Sequence, residues 1–447
     1  MLKNTSQFMT SKIPMDKQKT IFLREFETLG YDSRADRQVS KDDFEEIRNF
    51  VLSKPVGGQS VLKLEHQRLK ARNFVGILQT RRGTTIEILP KIDLAGADSI
   101  EKEKTIFLKM LQVWRDGPCK NMGDADIRTM KNFPLLEVFI QMFLADLLEL
   151  TRRGLARSYS RVENNLRVLK GKLIFSKHIK HNLIHRERFY VQYEEFSANR
   201  PVNRLLKSTV LLLQRLSRSV KNQTLAHQAR FYFEDIPESK NIAVDLTRAK
   251  VDRTMPLYTR LFPWVKLFLE NSAPAAYQGQ SPAFALLFPM ERIFEDYVAH
   301  RLRREMDGWR INTQEKILYL IKENPEGRRE FQMRPDIVAR KRDKTKILVM
   351  DTKWKRLNKN SRHHNISQSD LYQLYAYGKK YKKKYAVSQT PVTLYLLYPR
   401  NENFREKMSF CYENNLYLHV YPVRLDSESQ FKGDQFPECK TGIGKQE

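Results

Sequence analysis

Hydrophobic positions change their period several times along the chain, and each change marks a predicted element. Between Thr20 and about Asp93 the pattern is strand-like. "NFVGILQTRRGTTIEILPKI" reads as a strand, a turn at Arg81–Arg82–Gly83, and a second strand in which Thr85, Glu87 and Leu89 alternate with Ile86 and Ile88. From Ser99 to about Arg153 the period becomes helical. Leu135, Leu136, Phe139, Ile140, Phe143, Leu144 and Leu147 recur at three- and four-residue spacing, which predicts a core-facing helix. Another helix is expected from Val202 to about Ser219. "APAAYQGQSPAFALLFP" (273–289) is rich in Pro, Gly and Ala and reads as a linker. Beyond it a helix begins near Pro289, with Met290, Ile293, Phe294, Tyr297, Val298 and Leu302 as its buried stripe. Strands follow at 311–321, 331–340, 346–353 and 391–398, with a helix from about 369 to 384 between the last two.

This pattern predicts a multidomain chain of α+β and α/β character. Residues 1–18 form a loose N-terminus and 19–98 a β-rich domain. Residues 99–282 form a helical, basic middle region, 283–426 a C-terminal α/β domain, and 427–447 a disordered tail. No internal repeat recurs at a fixed period.

Charge narrows the class of partner. The 447 residues hold 80 Lys and Arg against 52 Asp and Glu, a net charge of +28. A basic chain of this kind most often meets nucleic acid; an anionic membrane surface and a merely solvated basic surface are the other readings. No apolar run is long enough for a membrane span, and "MLKNTSQFMTSKIPMDKQK" lacks a signal peptide's apolar core. Cys119, Cys411 and Cys439 form no CxxC pair, so neither a disulfide framework nor a zinc site is expected, and a cytoplasmic location fits. Residues 154–200 interleave basic residues with Tyr and Phe, a composition suited to a phosphate backbone. Within them His178, His181 and His185 could share one helical face, but no carboxylate or thiol completes a metal set, and exposed helix histidines are the plainer reading. The basic tip Arg81–Arg82 reads equally as a partner or phosphate contact and as a solvated turn.

Candidate chemistry concentrates in "RPDIVARKRDKTKILVMDTKWK" (334–355). "KILVMDTKW" is a continuous apolar run, as expected of a strand covered on both faces. Side chains two apart share a face, so Asp351 and Lys353 point the same way. Pro335 is tolerated where a strand begins. A turn near Lys341–Thr345 would then bring Asp336 beside Asp351. Two close carboxylates repel unless a cation sits between them. Mg²⁺ suits such oxygen ligands, with Mn²⁺ as a substitute and the Thr352 backbone carbonyl as a further ligand. Upstream, Glu291 and Glu295 lie one helical turn apart; Glu295, beside the buried stripe, is the better placed to complete the site, and a surface role is the alternative for both. Downstream, Gln373 and Tyr377 are one turn apart and could steady a metal-bound water or a phosphate. Lys379, Lys380 and Lys382–Lys384 would line a DNA path or simply form an exposed helix end. A salt-bridged strand end is the competing reading of the whole cluster.

The order of these residues resembles the PD-(D/E)XK nuclease superfamily, with Asp336 as first acid, Asp351 as second and Lys353 as the lysine. The QxxxY spacing of Gln373 and Tyr377 is similar to that of RecB-type members. "ARNFVGILQTRRGTTIEILPKI", "ENNLRVLKGKLIFSKHIKHNL", "RERFYVQYEEFSANRPVNRLLK", "FPMERIFEDYV" and "MRPDIVARKRDKTKILVMDTKWK" together resemble the McrC family, over about residues 70–400. The resemblance implies a magnesium-dependent endonuclease subunit of a modification-dependent McrBC-type restriction (defence) system. It also implies a partner: a ring-forming, McrB-like AAA+ NTPase hexamer, using GTP in preference to ATP, whose hydrolysis the subunit's N-terminal part stimulates, with double-stranded DNA as substrate. Consistently, the chain has no GxxxxGK[ST] phosphate loop, and "KPVGGQSVLK" lacks the spacing. Two other readings remain: a non-cleaving, NTPase-activating assembly subunit, and a stand-alone RecB-like repair nuclease.

Overall fold

The structure is a computed structural model. It describes Thr20–Phe431 apart from 54–61, 81, 93–98, 116, 120–122, 124–126, 128–132, 252–253, 272–283, 323–324, 387–389, 413–415 and 427–429, and apart from the side chains of 51–53 and 271. The expectations for the first 18 residues and Arg81, most of those for "KPVGGQSVLK" and the tail, and the first part of the linker stretch therefore lie outside the described residues. Two compact units are present. The first comprises Met1–Glu103, Ala273–Phe294 and Asn312–Leu425; the second comprises Lys104–Ser272, Glu295–Ile311 and Asp426–Glu447. These units differ from the sequence boundaries at 98, 282 and 426, because distant stretches of the chain pair in one sheet.

That sheet has four strands, in the order Thr20–Arg24, Thr85–Leu89, Phe74–Gln79 and Phe284–Pro289. The first pair is parallel and the other two are antiparallel. The hairpin around Arg82–Gly83 is as its alternation predicts, but both faces are covered: every residue of Phe74–Gln79 and Thr85–Leu89 is buried. Phe284–Pro289, the end of the stretch read as a linker, is instead a buried strand, since "FALLF" is uniformly apolar and finds a partner in Phe74–Gln79. Gly76 makes this pairing possible. Its φ is +137°, and a Cβ there would lie 2.0 Å from the carbonyl oxygen of Leu286. A second sheet, Arg37–Gln38, Thr28–Gly30, Arg68–Ala71 and Leu62–Glu65, shares a core with the helix Lys41–Ser53 through Leu29, Phe44, Ile47 and Leu69.

Five strands of a six-stranded sheet lie wholly in the first unit, in the order Ile337–Lys341, Ile347–Thr352, Val392–Pro399, Tyr417–Val423, Met408–Cys411. The first two strands form an antiparallel hairpin, with Ile337 opposite Met350 and Arg340 opposite Ile347. Its turn falls where expected: Lys344, at φ +62°, donates its amide to the Lys341 carbonyl at 3.0 Å. The next two pairings are parallel. Parallel neighbours need a crossover, and the helix Gln368–Lys384 supplies it between Ile347–Thr352 and Val392–Pro399. Both of those strands are buried throughout, as continuous apolar runs require.

Two long predicted strands are each broken. The expected strand 311–321 divides into Trp309–Thr313 and Leu318–Ile321, and Gln314 between them takes a left-handed φ of +51°. The expected strand 331–340 divides into Glu330–Met333 and Ile337–Lys341. Pro335 has no N–H to give a ladder, so the sheet cannot continue through it.

The second unit is built on helices, including Leu135–Arg153, Pro201–Leu216, Val220–Phe231 and Pro256–Asn271. Phe139 packs on Trp264 and Phe143 on Phe268, at ring separations of 5.9 and 5.8 Å. The apolar stripe read from the sequence is buried. The basic stretch is largely a three-stranded sheet, in the order Ser158–Leu166, Phe189–Ser197, Lys172–Leu173. A single face for three histidines does not form, because the helix Phe175–Asn182 ends before His185. His178 is hydrogen-bonded by the Tyr190 amide, and His181 stacks on Tyr190. Among the described residues, no helix is long and apolar enough to cross a membrane.

Candidate active site

Register alone carries Asp336 to a place opposite Asp351, one position beyond the Ile337–Met350 pair. The side chains then settle into different surroundings. Asp336 Oδ2 accepts from the Thr352 amide at 2.8 Å and the Thr352 hydroxyl at 2.9 Å, and its Oδ1 accepts from Gln314 Nε2 at 3.3 Å. The Gln314 amide also donates to the Asp336 carbonyl at 2.9 Å, so the left-handed turn at Gln314 grips the first acid by both backbone and side chain.

Asp351 is 1% exposed. Its carboxyl is pushed up towards about 7, first by burial and then by the charge of Asp336; Lys353 opposes the shift and Asp370 adds to it. Lys353 Nζ is 2.7 Å from Asp351 Oδ2. This ion pair is what opposes the rise of the Asp351 carboxyl. The same-face prediction for Asp351 and Lys353 therefore holds in space.

The helix Gln368–Lys384 completes the cluster. Lys353 Nζ is 3.4 Å from Gln373 Oε1, and Gln373 Nε2 donates to the Tyr377 hydroxyl at 2.9 Å. That hydroxyl donates onward to the Arg334 carbonyl at 3.2 Å. A chain of contacts thus runs from Asp351 through Lys353, Gln373 and Tyr377 back to the residue before Pro335. Burial works against the Lys353 ammonium, but Asp351 and Asp370 outweigh it and lift its pKa to about 12. Burial likewise lifts the Tyr377 phenol.

Sequence reasoning passed over Asp370. It is buried at the start of the same helix, 3.6 Å from Lys353 Nζ and 3.3 Å from Lys355 Nζ, with the Tyr398 hydroxyl at 3.5 Å. The signal was present: Asp370, Gln373 and Tyr377 are spaced i, i+3, i+7, which is one helical face. Gln314 and the Thr352 hydroxyl carried no such signal, since each depends on a turn or a register.

Glu295 is half-buried on the helix Met290–Glu305 and belongs to the second unit, whereas both aspartates belong to the first. Glu291 is exposed and accepts from Asn73 Nδ2 at 2.9 Å. Lys380 donates to the Leu320 carbonyl at 2.5 Å, and Lys379 lies over the Tyr375 ring. Among the described residues, no three His, Cys, Asp or Glu side chains gather as a metal-binding group. The carboxylates available to a cation in the first unit's cluster are thus a pair. A hard cation such as Mg²⁺ tolerates this, because it keeps several waters and takes only one or two carboxylates. The Asp351 carboxyl is raised first by burial and then by the charge of Asp336, and a cation beside it would offset both.

The chain is thus a mixed α/β protein with an acid–acid–lysine cluster at the end of a mixed sheet. It belongs to the McrBC 5-methylcytosine restriction system component family, whose model matches residues 69–399. No curated protein matches it. Its fold is similar to that of a chain in the half-complex of Thermococcus gammatolerans McrB AAA+ hexamers with bound McrC. The TM-score is 0.63 at 21% identity, over 91% of this chain and 95% of that one. A chain of the Thermococcus gammatolerans McrBC complex aligns with a TM-score of 0.47 at 20% identity, over 64% of this chain and 88% of that one.

Proposed function

We propose that this chain is the nuclease subunit of an McrBC-like restriction complex, acting in the cytoplasm. In this reading its C-terminal region is a PD-(D/E)XK domain that cuts double-stranded DNA when assembled with an McrB-like AAA+ NTPase hexamer, GTP being favoured over ATP. The observation that carries the reading is the convergence of Asp336, Asp351 and Lys353 at one strand end, backed by Gln373 and Tyr377. Family membership and the fold shared with a chain from an assembly of McrB hexamers with bound McrC support the partner.

Asp336, Asp351 and the Thr352 carbonyl, with Glu295 as a fourth candidate, would hold Mg²⁺ or Mn²⁺. When bound, such an ion polarises a phosphodiester oxygen and acidifies a water. The chain's own residues do the rest. Thr352 and Gln314 fix the Asp336 carboxylate, and Asp351 is held by burial. Lys353 brings a positive charge to the place where the phosphate gains negative charge. Gln373 and Tyr377 keep the long lysine stem in one position.

The test is reconstitution with the AAA+ partner, nucleotide, Mg²⁺ and modified duplex DNA. Cleavage should disappear with a chelator and in Asp351→Ala, while the variant still stimulates nucleotide hydrolysis. Cutting by the Asp351→Ala complex would remove the site. A wild-type complex that stimulates hydrolysis but never cuts would favour the NTPase-activating subunit, for which the fold match to an McrB–McrC assembly also speaks. Full activity without a partner would favour a stand-alone RecB-like nuclease.

A further inference from the structure

Between Gln314 and Asp336 the chain leaves the main sheet and forms a separate hairpin, Leu318–Ile321 with Glu330–Met333. The strands pair antiparallel, Leu318 opposite Met333 and Ile321 opposite Glu330. The root of the hairpin is packed: Met333 is buried, and Leu318 lies against the same core as Val338, Val349 and Tyr377. The outer half is not. Ile317, Leu320, Ile321 and Phe331 are exposed, Phe331 at 66%. This register sets Leu320 opposite Phe331, two positions out from the packed pair. Phe331 also holds a left-handed φ of +54°, a strained conformation for a bulky residue. A cluster of exposed apolar side chains marks a contact surface, and strain kept at its centre points the same way.

Charge names the occupant. From Lys316 to Arg334 the sequence holds five Lys and Arg against three Glu. Lys322, Arg328 and Arg329 are exposed around the tip, where Glu326 lies 3.5 Å from Arg328. The lysine-rich helix Gln368–Lys384 joins the hairpin through the Lys380 ammonium on the Leu320 carbonyl, at 2.5 Å. Basic groups around an apolar centre suit duplex DNA, whose phosphates flank grooves lined by base edges and methyl groups. Both legs of the hairpin lead to the first acid. On one leg Gln314 donates to Asp336 through its amide and its side chain. On the other, Asp336 follows Met333 by three residues, roughly 10 Å of extended chain. Gln332 Nε2 braces the two legs on the Lys316 carbonyl at 3.0 Å.

We infer that the hairpin Leu318–Met333 is a DNA-gripping arm that holds the duplex beside Asp336 and Lys353. Lys322, Arg328 and Arg329 lie on phosphates, and Leu320 and Phe331 press into the groove; a two-stranded ribbon is narrow enough for the major groove. The inference rests on the nuclease reading for the reaction that follows, but binding by the arm is measured without cleavage.

The experiment uses the full chain, alone and in complex with the AAA+ partner. Fluorescence anisotropy follows a short labelled duplex in EDTA across a salt series, for the wild type, Phe331→Gly and the double variant Arg328→Gln, Arg329→Gln. Glycine adopts a positive φ freely, so Phe331→Gly should melt no lower than the wild type. It should weaken duplex binding about 10-fold, the effect of losing one buried aromatic contact. The double variant should weaken binding and lower the slope of log affinity against log salt by about 2, since each phosphate contact contributes about 0.9. In the complex both should raise KM for DNA and leave kcat at saturating DNA unchanged. Wild-type affinity and salt slope in both variants would overturn the inference, as would a wild type that binds no duplex either alone or in complex. A clear fall in the melting temperature of Phe331→Gly would overturn it too, by placing the ring in the fold. So would loss of self-association or of AAA+ binding with DNA affinity intact, because the apolar face would then belong to a protein. A wild-type complex that never cuts, with duplex binding still dependent on Phe331, Arg328 and Arg329, would sink the nuclease reading and leave the arm standing.

Discussion

The indole N–H of Trp354 is shared between the two carboxyl oxygens of Glu25, at 3.0 and 2.8 Å. Trp354 directly follows Lys353, and Glu25 directly follows the first strand of the N-terminal sheet. The Lys91 amide adds a 3.2 Å contact to the same carboxyl, and Phe294 packs on the indole at 5.2 Å. One buried acid thus ties the N-terminal sheet to the backbone beside the candidate lysine.

Burial pushes the Glu25 carboxyl up to about 8, against the pull of its Trp354 and Lys91 hydrogen bonds and with a small push from Glu291. The folded state therefore holds a proton that the unfolded chain releases near 4.5. The associated stability is fully present below about 4.5 and is lost as pH rises to about 8. Glu25→Gln should flatten the fall in melting temperature between pH 5 and 8 in the wild type. Asp351 contributes a slope of the same sign, so some decline should persist. An identical pH profile in both proteins would remove Glu25 from this role.

Asp351→Asn should separate stability from activity. Its raised carboxyl carries a cost that grows as pH rises towards about 7. An amide has no charge to bury, so at pH 8 the variant should melt higher than the wild type, while the complex loses cleavage. A melting temperature below that of the wild type at pH 8 would contradict the buried-charge account.

Tyr377→Phe removes the hydroxyl that accepts from Gln373 and donates to the Arg334 carbonyl. The cost to stability should be about 1 kcal/mol. Cleavage should fall more than stability, because Gln373 loses the contact that holds it towards Lys353. Denaturant melts beside single-turnover rates measure both; an unaltered rate would show that Gln373 is fixed by other contacts.

Thr352→Val keeps the side-chain shape and deletes the hydroxyl that donates to Asp336, leaving the 2.8 Å amide contact. Because the acceptor is a carboxylate, the loss should be about 1.5–3 kcal/mol in unfolding free energy. Urea denaturation reads this directly, and a change below about 0.5 kcal/mol would assign Asp336 to its backbone contact alone.

Gly76→Ala tests the N-terminal sheet. A φ of +137° strains any residue with a Cβ, and that Cβ would lie 2.0 Å from the Leu286 carbonyl oxygen. Strain alone should cost about 1–3 kcal/mol, and the clash should part Phe74–Gln79 from Phe284–Pro289. Slowed hydrogen exchange at residues 284–288 should be lost in the variant; protection equal to that of the wild type would show that the strand can shift to make room.

Much of the candidate site was legible because its signals are local. Asp351 and Lys353 share a face by strand periodicity, Gln373 and Tyr377 share one by helix periodicity, and the hairpin turn near Lys344 follows from polar residues between two apolar runs. Features set by distant partners were not legible. "FALLFP" looked like a linker because nothing nearby announces that Phe74–Gln79 needs a neighbour. The break at Gln314 depends on how Asp336 is gripped, which appears only when both strands are in place, whereas the one at Pro335 was open to a local reading. Asp370 lay in plain view, but a lone acid in a helix's first turn reads as an ordinary dipole partner until two lysines converge on it.

The pairing of Gln79 with Phe284 has a consequence for synthesis on the ribosome. About 200 residues must be added before the strand Phe74–Gln79 can meet its second neighbour, which takes roughly 10–40 s at ordinary elongation rates. Throughout that interval a largely apolar edge, "FVGILQ", stands open to other nascent chains. Chaperone demand and yield should therefore hinge on the time between those two strands, and fragments ending before residue 284 should clump rather than fold.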